Sequence, residues 1–395
     1  VRVLHITDDL ELLGGVQRYL ERLLPALRGA GVEVDAWSPS PGPLGGALSR
    51  WYGWRHRAEL RRLIGRRRPD VVHAHNLWMR LSPAPLGAAA AAGVRVVMTA
   101  HDYALVCPRK WMVTGDDRPC ESGFGPRCAV AGCRGSREGW AWAPYNALRW
   151  LKTWLHRRML RSRVDRFVSP SRHLAGWLER SLGVGGVAHI VNFAPAAGGE
   201  GVREVSHPQT LLYAGRLGRE KGVDVLLRAM PGVVASRPEA RLVVAGDGPE
   251  RSRLEAMAGD LGVSGAVRFS GALAADELGR RYEDAGLVVL PTLWMENCPV
   301  SVLEAFAHGR GVVATAIGGL PELVDDGHNG ALFPRGDVRR LADLLGRLLG
   351  DPDRVAAMGR AALDSWRADH TPEIHAGRLV GLYRSLLDRG DGPCC

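Results

Sequence analysis

Short apolar runs alternate with amphipathic stretches along almost the whole sequence, and the series is played out twice. A strand that is apolar without a break must be covered on both faces, which a parallel sheet flanked by helices achieves. In the first series, residues 1–6, 32–37, 71–74, 94–99, 166–169 and 189–191 read as strands. Helices fall at 16–27, 60–68, 86–92, 140–163 and 172–181, with a Pro/Gly-rich loop at 39–46. The second series has strands at 210–214, 241–245, 267–269, 287–290 and 312–314. Its helices fall near 222–236, 249–261, 275–284 and 300–308, closed by helices at 337–349, 352–365 and 372–388. A chain of 395 residues exceeds what one core usually holds. The expectation is an α/β protein of two Rossmann-like domains, at 1–195 and 208–371, joined by the Pro/Gly/Ala-rich stretch 194–208. A last helix, within 372–395, crosses back to the first. Neither series carries G-x-G-x-x-G after its first strand, which disfavours NAD or FAD.

Charge is distributed unevenly. Residues 1–200 hold 29 Lys and Arg against 16 Asp and Glu, a net of +13, whereas the remainder holds 23 against 26, a net of −3. An anionic partner of the first half is one reading; a solvated surface in a chain where Arg far outnumbers Lys is the other. The opening strand is too short for a signal-peptide core, and the apolar run 86–97 is too short for a bilayer and broken by Arg95. A cytoplasmic protein is expected.

Four patterns in the second half bear on chemistry. Gly215-Arg216-Leu217-Gly218-Arg219-Glu220-Lys221-Gly222 follows a strand and opens a helix, so two cations can reach an anion at the helix start. Gly246-Asp247-Gly248 is a strand running into a tight turn, with no side chains to bar a base or ribose. In the stretch 291–309, Glu296 lies in a loop, Pro299 near a helix start, and Glu304 within the helix, where a carboxylate can accept two ribose hydroxyls. A Gly-Gly turn at 318–319 precedes Pro321-Glu322. Any one of these also occurs as an ordinary surface turn.

In combination they resemble the retaining GT-B glycosyltransferases of family 4, over nearly the whole chain. The resemblance also takes in Gly14-Gly15 and a histidine after a strand, His101. It implies two Rossmann-like domains facing across a cleft, with the linker as hinge, and transfer of a sugar from a nucleotide diphosphate. Arg216 and Lys221 would bind the donor diphosphate, Glu304 the ribose, and Glu296 with the backbone of Asn297, Cys298 and Pro299 the sugar hydroxyls. Gly14 and Gly15 would let a loop approach the phosphates or acceptor, and His101 would contact the donor sugar. Gly246 and Gly248 belong to the nucleotide side. UDP-sugar is the expected donor, GDP-sugar the alternative. The acceptor is a small natural product such as an aminocyclitol, a lipid-linked saccharide or a polysaccharide, with a lean toward the first.

Cleavage of a sugar–phosphate bond builds negative charge on the diphosphate, and two cations with a helix N-terminus answer it without a metal. Asp116-Asp117 reads as a solvated turn. Retention follows from the resemblance, by a front-face route or by double displacement with Glu296 as nucleophile. Asp102 is a candidate to orient an acceptor hydroxyl. Competing functions are an epimerase or hydrolase of nucleotide sugars on the same scaffold, and a basic nucleic-acid-binding protein, although no nucleic-acid module is recognisable.

The insertion 103–139 breaks the alternation and carries Cys107, Cys120, Cys128 and Cys133. Three readings stay open: a structural metal site (zinc, or less readily an iron–sulfur cluster), two disulfides, or four unlinked thiols. Cys298 reads as a small packing residue, and Cys394 and Cys395 as an exposed tail. Residues 140–163, with Trp140, Trp142, Trp150 and Trp154 among six basic side chains, read as an interfacial helix, a platform for a sugar face, or a helix packed on its domain with its basic edge in water.

Overall fold

A computed structural model describes residues 1–8, 10, 15–39, 54–78, 81–115, 118–130, 133, 142–196 and 205–388. The expectations for Gly14, Asp116, Asp117, Trp140, Cys394, Cys395, loop residues 40–46 and linker residues 197–204 lie outside the described residues. The chain forms two compact units, Val1–Val191 with Pro372–Cys395, and Asn192–Thr371.

The first unit is built on six strands: β1 (Arg2–Ile6), β2 (Glu33–Trp37), β3 (Val71–Ala74), β4 (Arg95–Thr99), β5 (Arg166–Ser169) and β6 (Ala188–His189). Their order is β2-β1-β3-β4-β5-β6, and every pair is parallel. β3 is buried at all four positions, as expected of a strand with both faces covered. The helix Arg172–Leu182 shows how the helices are bounded. Ser171 caps its start by accepting from the Leu174 N–H at 3.1 Å, and Gly183 ends it at φ 63°. The last helix, Pro372–Asp388, packs on the helix Gly15–Gly29 of this unit. It buries His375, Ala376, Leu379, Val380, Tyr383 and Leu386 at helical spacing.

The second unit has β7 (His207–Ala214), β8 (Arg241–Ala245), β9 (Val267–Gly271), β10 (Ala285–Leu290), β11 (Gly311–Thr315) and β12 (Gly330–Phe333). The order is β12-β11-β10-β7-β8-β9, again all parallel. Sequence reading misses β12: four residues after a turn carry no periodicity, and only pairing with β11 makes them a strand. The helix Val338–Leu349 lays Leu341, Leu345, Leu348 and Leu349 on the core, each worth about 2 kcal/mol of burial. In each sheet the chain reverses its direction of growth once, between β1 and β3 in the first and between β7 and β10 in the second. A crevice outside the strand ends at such a point is where open α/β sheets bind ligands.

Candidate active site

In the second unit, the loops after β7 and β10 leave the sheet on either side of the reversal point. They converge: Lys221 Nζ, from the first loop, donates to Glu296 Oε1, from the second, at 2.6 Å. Thr292 Oγ1, its one proton shared with the Glu220 carbonyl, lies 3.3 Å from the same carboxylate oxygen. The backbone ties the loops as well, because the Glu220 carbonyl accepts from Leu293 N at 2.9 Å and from Thr292 Oγ1 at 3.1 Å. Burial works against the Lys221 charge, but the Glu296 carboxylate outweighs it and holds the ammonium's pKa above its ordinary value. Lys221 is therefore a fixed cation. Arg216 is more open, with 61% of its side chain exposed and Glu220 Oε1 at 3.1 Å.

The glycines of this region serve the loops themselves. A Cβ on Gly246 would lie 1.8 Å from the Gly215 carbonyl oxygen, and one on Gly248 2.4 Å from that of Leu217. The turn after β8 is thus pressed backbone to backbone against the Arg216 loop, and larger residues would drive the two apart. Gly318, at φ 62°, likewise abuts the Glu296 carbonyl, which accepts from Gly319 N at 2.8 Å. The Gly-Gly turn after β11 therefore buttresses the Glu296 loop. The helix Val300–Ala307 then begins without a side-chain cap. Pro299 has a helical φ of −68° but ψ of 123°, so it precedes the helix rather than opening it. Glu304 lies on this helix, and Tyr282 Oη donates to its Oε2 at 3.3 Å. Asn297 and Cys298 are buried; the Cys298 carbonyl accepts from Asn192 Nδ2 at 3.2 Å, and burial pushes its thiol up to about 12. That thiol is a packing group, not a nucleophile.

In the first unit, the reversal point is lined by histidines. His5 on β1 and His73 on β3 are register partners, His75 follows β3, and His101 follows β4. Hydrogen bonds link His5 Nδ1 to His75 Nε2 at 3.0 Å, and His75 Nδ1 to His101 Nε2 at 2.9 Å. His73 bonds to Tyr383 Oη at 2.6 Å and to Thr99 Oγ1 at 2.7 Å. Tyr19 Oη meets His375 Nε2 at 2.8 Å and packs edge-on to His101 at 4.9 Å. Burial holds His5 and His101 down at about 3 and His375 at about 4, and sets His73 and His75 well below the ordinary value. All five are neutral at pH 7.

Neutral rings in a row must pass donation one way. His5 Nε2 is buried without a partner, and an unpaired lone pair is tolerated more often than an unpaired N–H. The favoured order is His5 Nδ1–H to His75, then His75 Nδ1–H to His101 Nε2, which leaves His101 with Nδ1–H as a donor. His5, His73 and His75 can each bring a ligand nitrogen within 4.8 Å of the others. Five of their six ring nitrogens are already hydrogen-bonded, so the set is spent on the ladder. Of the ladder, sequence reading finds only His101. The signal for the rest is there: His5 and His73 are polar intrusions into apolar strands, and His75 directly follows one.

Gly15 is exposed at the start of the helix Gly15–Gly29, with open space around its Cβ position. Asp102 caps the 3-10 turn Tyr103–Leu105, accepting from Ala104 N at 2.9 Å, which gives it a structural task. Cys107, Cys120, Cys128 and Cys133 are all free thiols, near enough to act on one another electrostatically.

Two family models match the chain in tandem. The one described as Glycosyltransferase Family 4 covers residues 13–193, and the one described as Glycosyl transferases group 1 covers residues 201–364. The GDP-mannose-dependent alpha-(1-6)-phosphatidylinositol monomannoside mannosyltransferase of Mycolicibacterium smegmatis is 38% identical over 177 residues, 41% of this chain and 46% of that protein. The D-inositol 3-phosphate glycosyltransferase of Corynebacterium urealyticum is 40% identical over 181 residues, 44% of this chain and 42% of that protein. The matched stretch spans less than half the length of either relative. In fold, sucrose-phosphate synthase from Thermosynechococcus elongatus is similar with a TM-score of 0.72 at 19% identity, covering 98% of this chain and 100% of that one.

Proposed function

Because the chain belongs to the GT-B glycosyltransferases of family 4 and group 1, we propose that it transfers a glycosyl group from a nucleotide-diphosphate sugar to an acceptor hydroxyl, with retention and without a catalytic metal. The observation that carries this reading is the convergence of Lys221 and Glu296 at the β7/β10 reversal point, in the loop that runs into the uncapped helix Val300–Ala307. Lys221, held protonated, and the more exposed Arg216 answer the charge that builds on the departing diphosphate. Glu304, anchored by Tyr282, takes the ribose. Glu296 and the backbone of residues 297–299 take sugar hydroxyls, and His101 contacts the donor sugar. Glu296 is already engaged by Lys221 and Thr292, which suits binding more than nucleophilic attack. A front-face route, in which a leaving phosphate oxygen takes the acceptor proton, asks for no further base.

UDP-sugar is the proposed donor and GDP-sugar its competitor. A panel of nucleotides and nucleotide sugars read by thermal shift tests this. The matching nucleotide at saturation raises the midpoint by about 5 °C or more, and the donor then yields product only with an acceptor. No stabilisation by any nucleotide, or release of free sugar at the same rate without acceptor, overturns the reading.

The acceptor side points to a lipid surface. Tyr145, Leu148, Leu151 and Trp154 are 38–51% exposed along one side of the helix Ala143–Arg161, opposite the buried Asn146, His156, Arg157 and Leu160. Arg158 and Arg161 extend that side, and residues 142–164 contain no acidic side chain. Apolar side chains flanked by cations suit the headgroup region of anionic lipid, which moves the balance from a soluble acceptor to a lipid-linked one. No described helix is long and apolar enough to cross a membrane. The protein is expected to co-sediment with phosphatidylglycerol vesicles and not with phosphatidylcholine vesicles, and Leu148→Glu with Trp154→Glu abolishes this. Equal binding by the double variant refutes the contact.

A further inference from the structure

We propose that His75 is the positioning residue of His101: its ring fixes which nitrogen of His101 carries the proton and holds that nitrogen ready for a sugar oxygen. The inference deepens the transferase reading, in which His101 contacts the donor sugar, and rests on it.

Two backbone bonds bring the rings together. β3 and β4 are neighbours in the sheet. Just past β3, His75 N donates to the Ile6 carbonyl of β1 at 2.8 Å; just past β4, Ala100 N donates to the Val168 carbonyl of β5 at 2.9 Å. Each strand end is thus pinned to its other neighbour. His75 is wholly buried, stacks on His5 with centroids 5.3 Å apart and 15° between the planes, and lies 5.2 Å from His101 at 33°. Both of its nitrogens are engaged, Nε2 with His5 Nδ1 at 3.0 Å and Nδ1 with His101 Nε2 at 2.9 Å. A ring bonded at both nitrogens cannot turn over without breaking both bonds, so it is a rigid support.

The positions of the protons follow. Burial keeps all three rings neutral at pH 7, His5 and His101 at about 3 and His75 well below its ordinary value. A neutral imidazole has one N–H and one acceptor nitrogen. His5 Nε2 is buried without a partner, which places the His5 proton on Nδ1. His75 then accepts at Nε2 and donates from Nδ1, and His101 accepts at Nε2. His101 is left protonated at Nδ1, the ring nitrogen that the ladder does not occupy. His5 therefore sets the tautomer of a ring two hydrogen bonds away. Tyr19 braces the same ring. His375 Nδ1 donates to the Val191 carbonyl at 2.7 Å, so its Nε2 accepts from Tyr19 Oη at 2.8 Å. The tyrosine ring, held in this way, meets His101 edge-on at 4.9 Å and 70°.

The test combines a spectrum with two amides. In the parent protein with labelled histidine nitrogens at pH 8, without donor or acceptor, His101 Nε2 is expected at the shift of an unprotonated acceptor and Nδ1 at that of an N–H. Loss of these signals in His101→Gln assigns them. Asn places an amide donor where the histidine Nδ1 stood, and Gln places one where Nε2 stood. His75→Gln keeps the link to His5 but releases His101, and is expected to lower kcat/KM for the donor about 100-fold. Affinity for the nucleoside diphosphate alone, UDP or GDP, stays near that of the parent. His75→Asn recovers most of what His75→Gln loses. A parent His101 protonated at Nε2, or His75→Asn and His75→Gln equal in kcat/KM, overturns the proposal. Should neither variant fold, the parent spectrum still decides. That spectrum needs no turnover, so it stands apart from any failure of the transferase reading itself.

Discussion

Lys221→Ala is expected to lower kcat by about two to three orders of magnitude, with the thermal midpoint of the second unit near that of the parent. The size follows from when the interaction matters. Before reaction the ammonium balances Glu296 at 2.6 Å. As the sugar–phosphate bond breaks, negative charge appears on the diphosphate, and a cation fixed by that carboxylate meets it with no reorganisation. Lys221→Met keeps the apolar stem and must fall with the alanine variant, which separates charge from packing. Glu296→Gln has a different signature. It removes the partner that raises the Lys221 pKa and weakens the hold on the sugar, so KM for the donor rises along with the loss of kcat. Arg216→Ala slows transfer as well, since its guanidinium, 61% exposed beside Glu220, can close on a phosphate. Donor turnover unchanged in both Lys221→Ala and Arg216→Ala would remove the assignment of this crevice.

What the sequence disclosed depended on how local each cause was. Strands such as Val71–Ala74 are buried on both faces, so their apolar runs stand out without knowledge of their neighbours. The Arg216–Lys221 loop was legible because glycines and cations crowd between a strand and a helix. Its partner Glu296, 75 residues away, meets Lys221 only because the sheet order places β10 beside β7. In sequence Gly246 and Gly248 look like room for a ligand, but their nearest neighbours are carbonyls of the adjacent loop. Two glycine-rich segments pressed together look, in sequence, like two independent turns. The histidine ladder was harder still. His73 is tied to Tyr383 across 310 residues, and no spacing rule connects a strand near the start of the chain to the last helix.

That ladder makes the first unit acid-sensitive. In the unfolded chain His5, His73, His75, His101 and His375 take up protons near their ordinary value of 6.5; in the fold, burial sets His5 and His101 at about 3 and His375 at about 4, with His73 and His75 well below 6.5. Below pH 6.5 the unfolded state therefore binds protons that the folded state refuses. Their contribution to stability is complete above that pH and is lost progressively as pH falls toward 3–4. His5, His101 and His375 each forfeit about 2 kcal/mol between pH 7 and pH 5, and His73 and His75 act in the same direction, so the loss is comparable to a domain's whole stability. The first unit, with the last helix docked through Tyr383 and His375, is expected to unfold near pH 5 while the second unit persists. Urea midpoints of the two transitions, followed from pH 8 to pH 5, measure the difference. Burial of neutral imidazole has a further consequence that NMR can read: the ring protons of these five residues should show no titration between pH 6 and pH 7. Equal urea midpoints at both ends of that range, or ring signals titrating near 6.5, would mean that the rings are hydrated and the ladder is not the core of this unit.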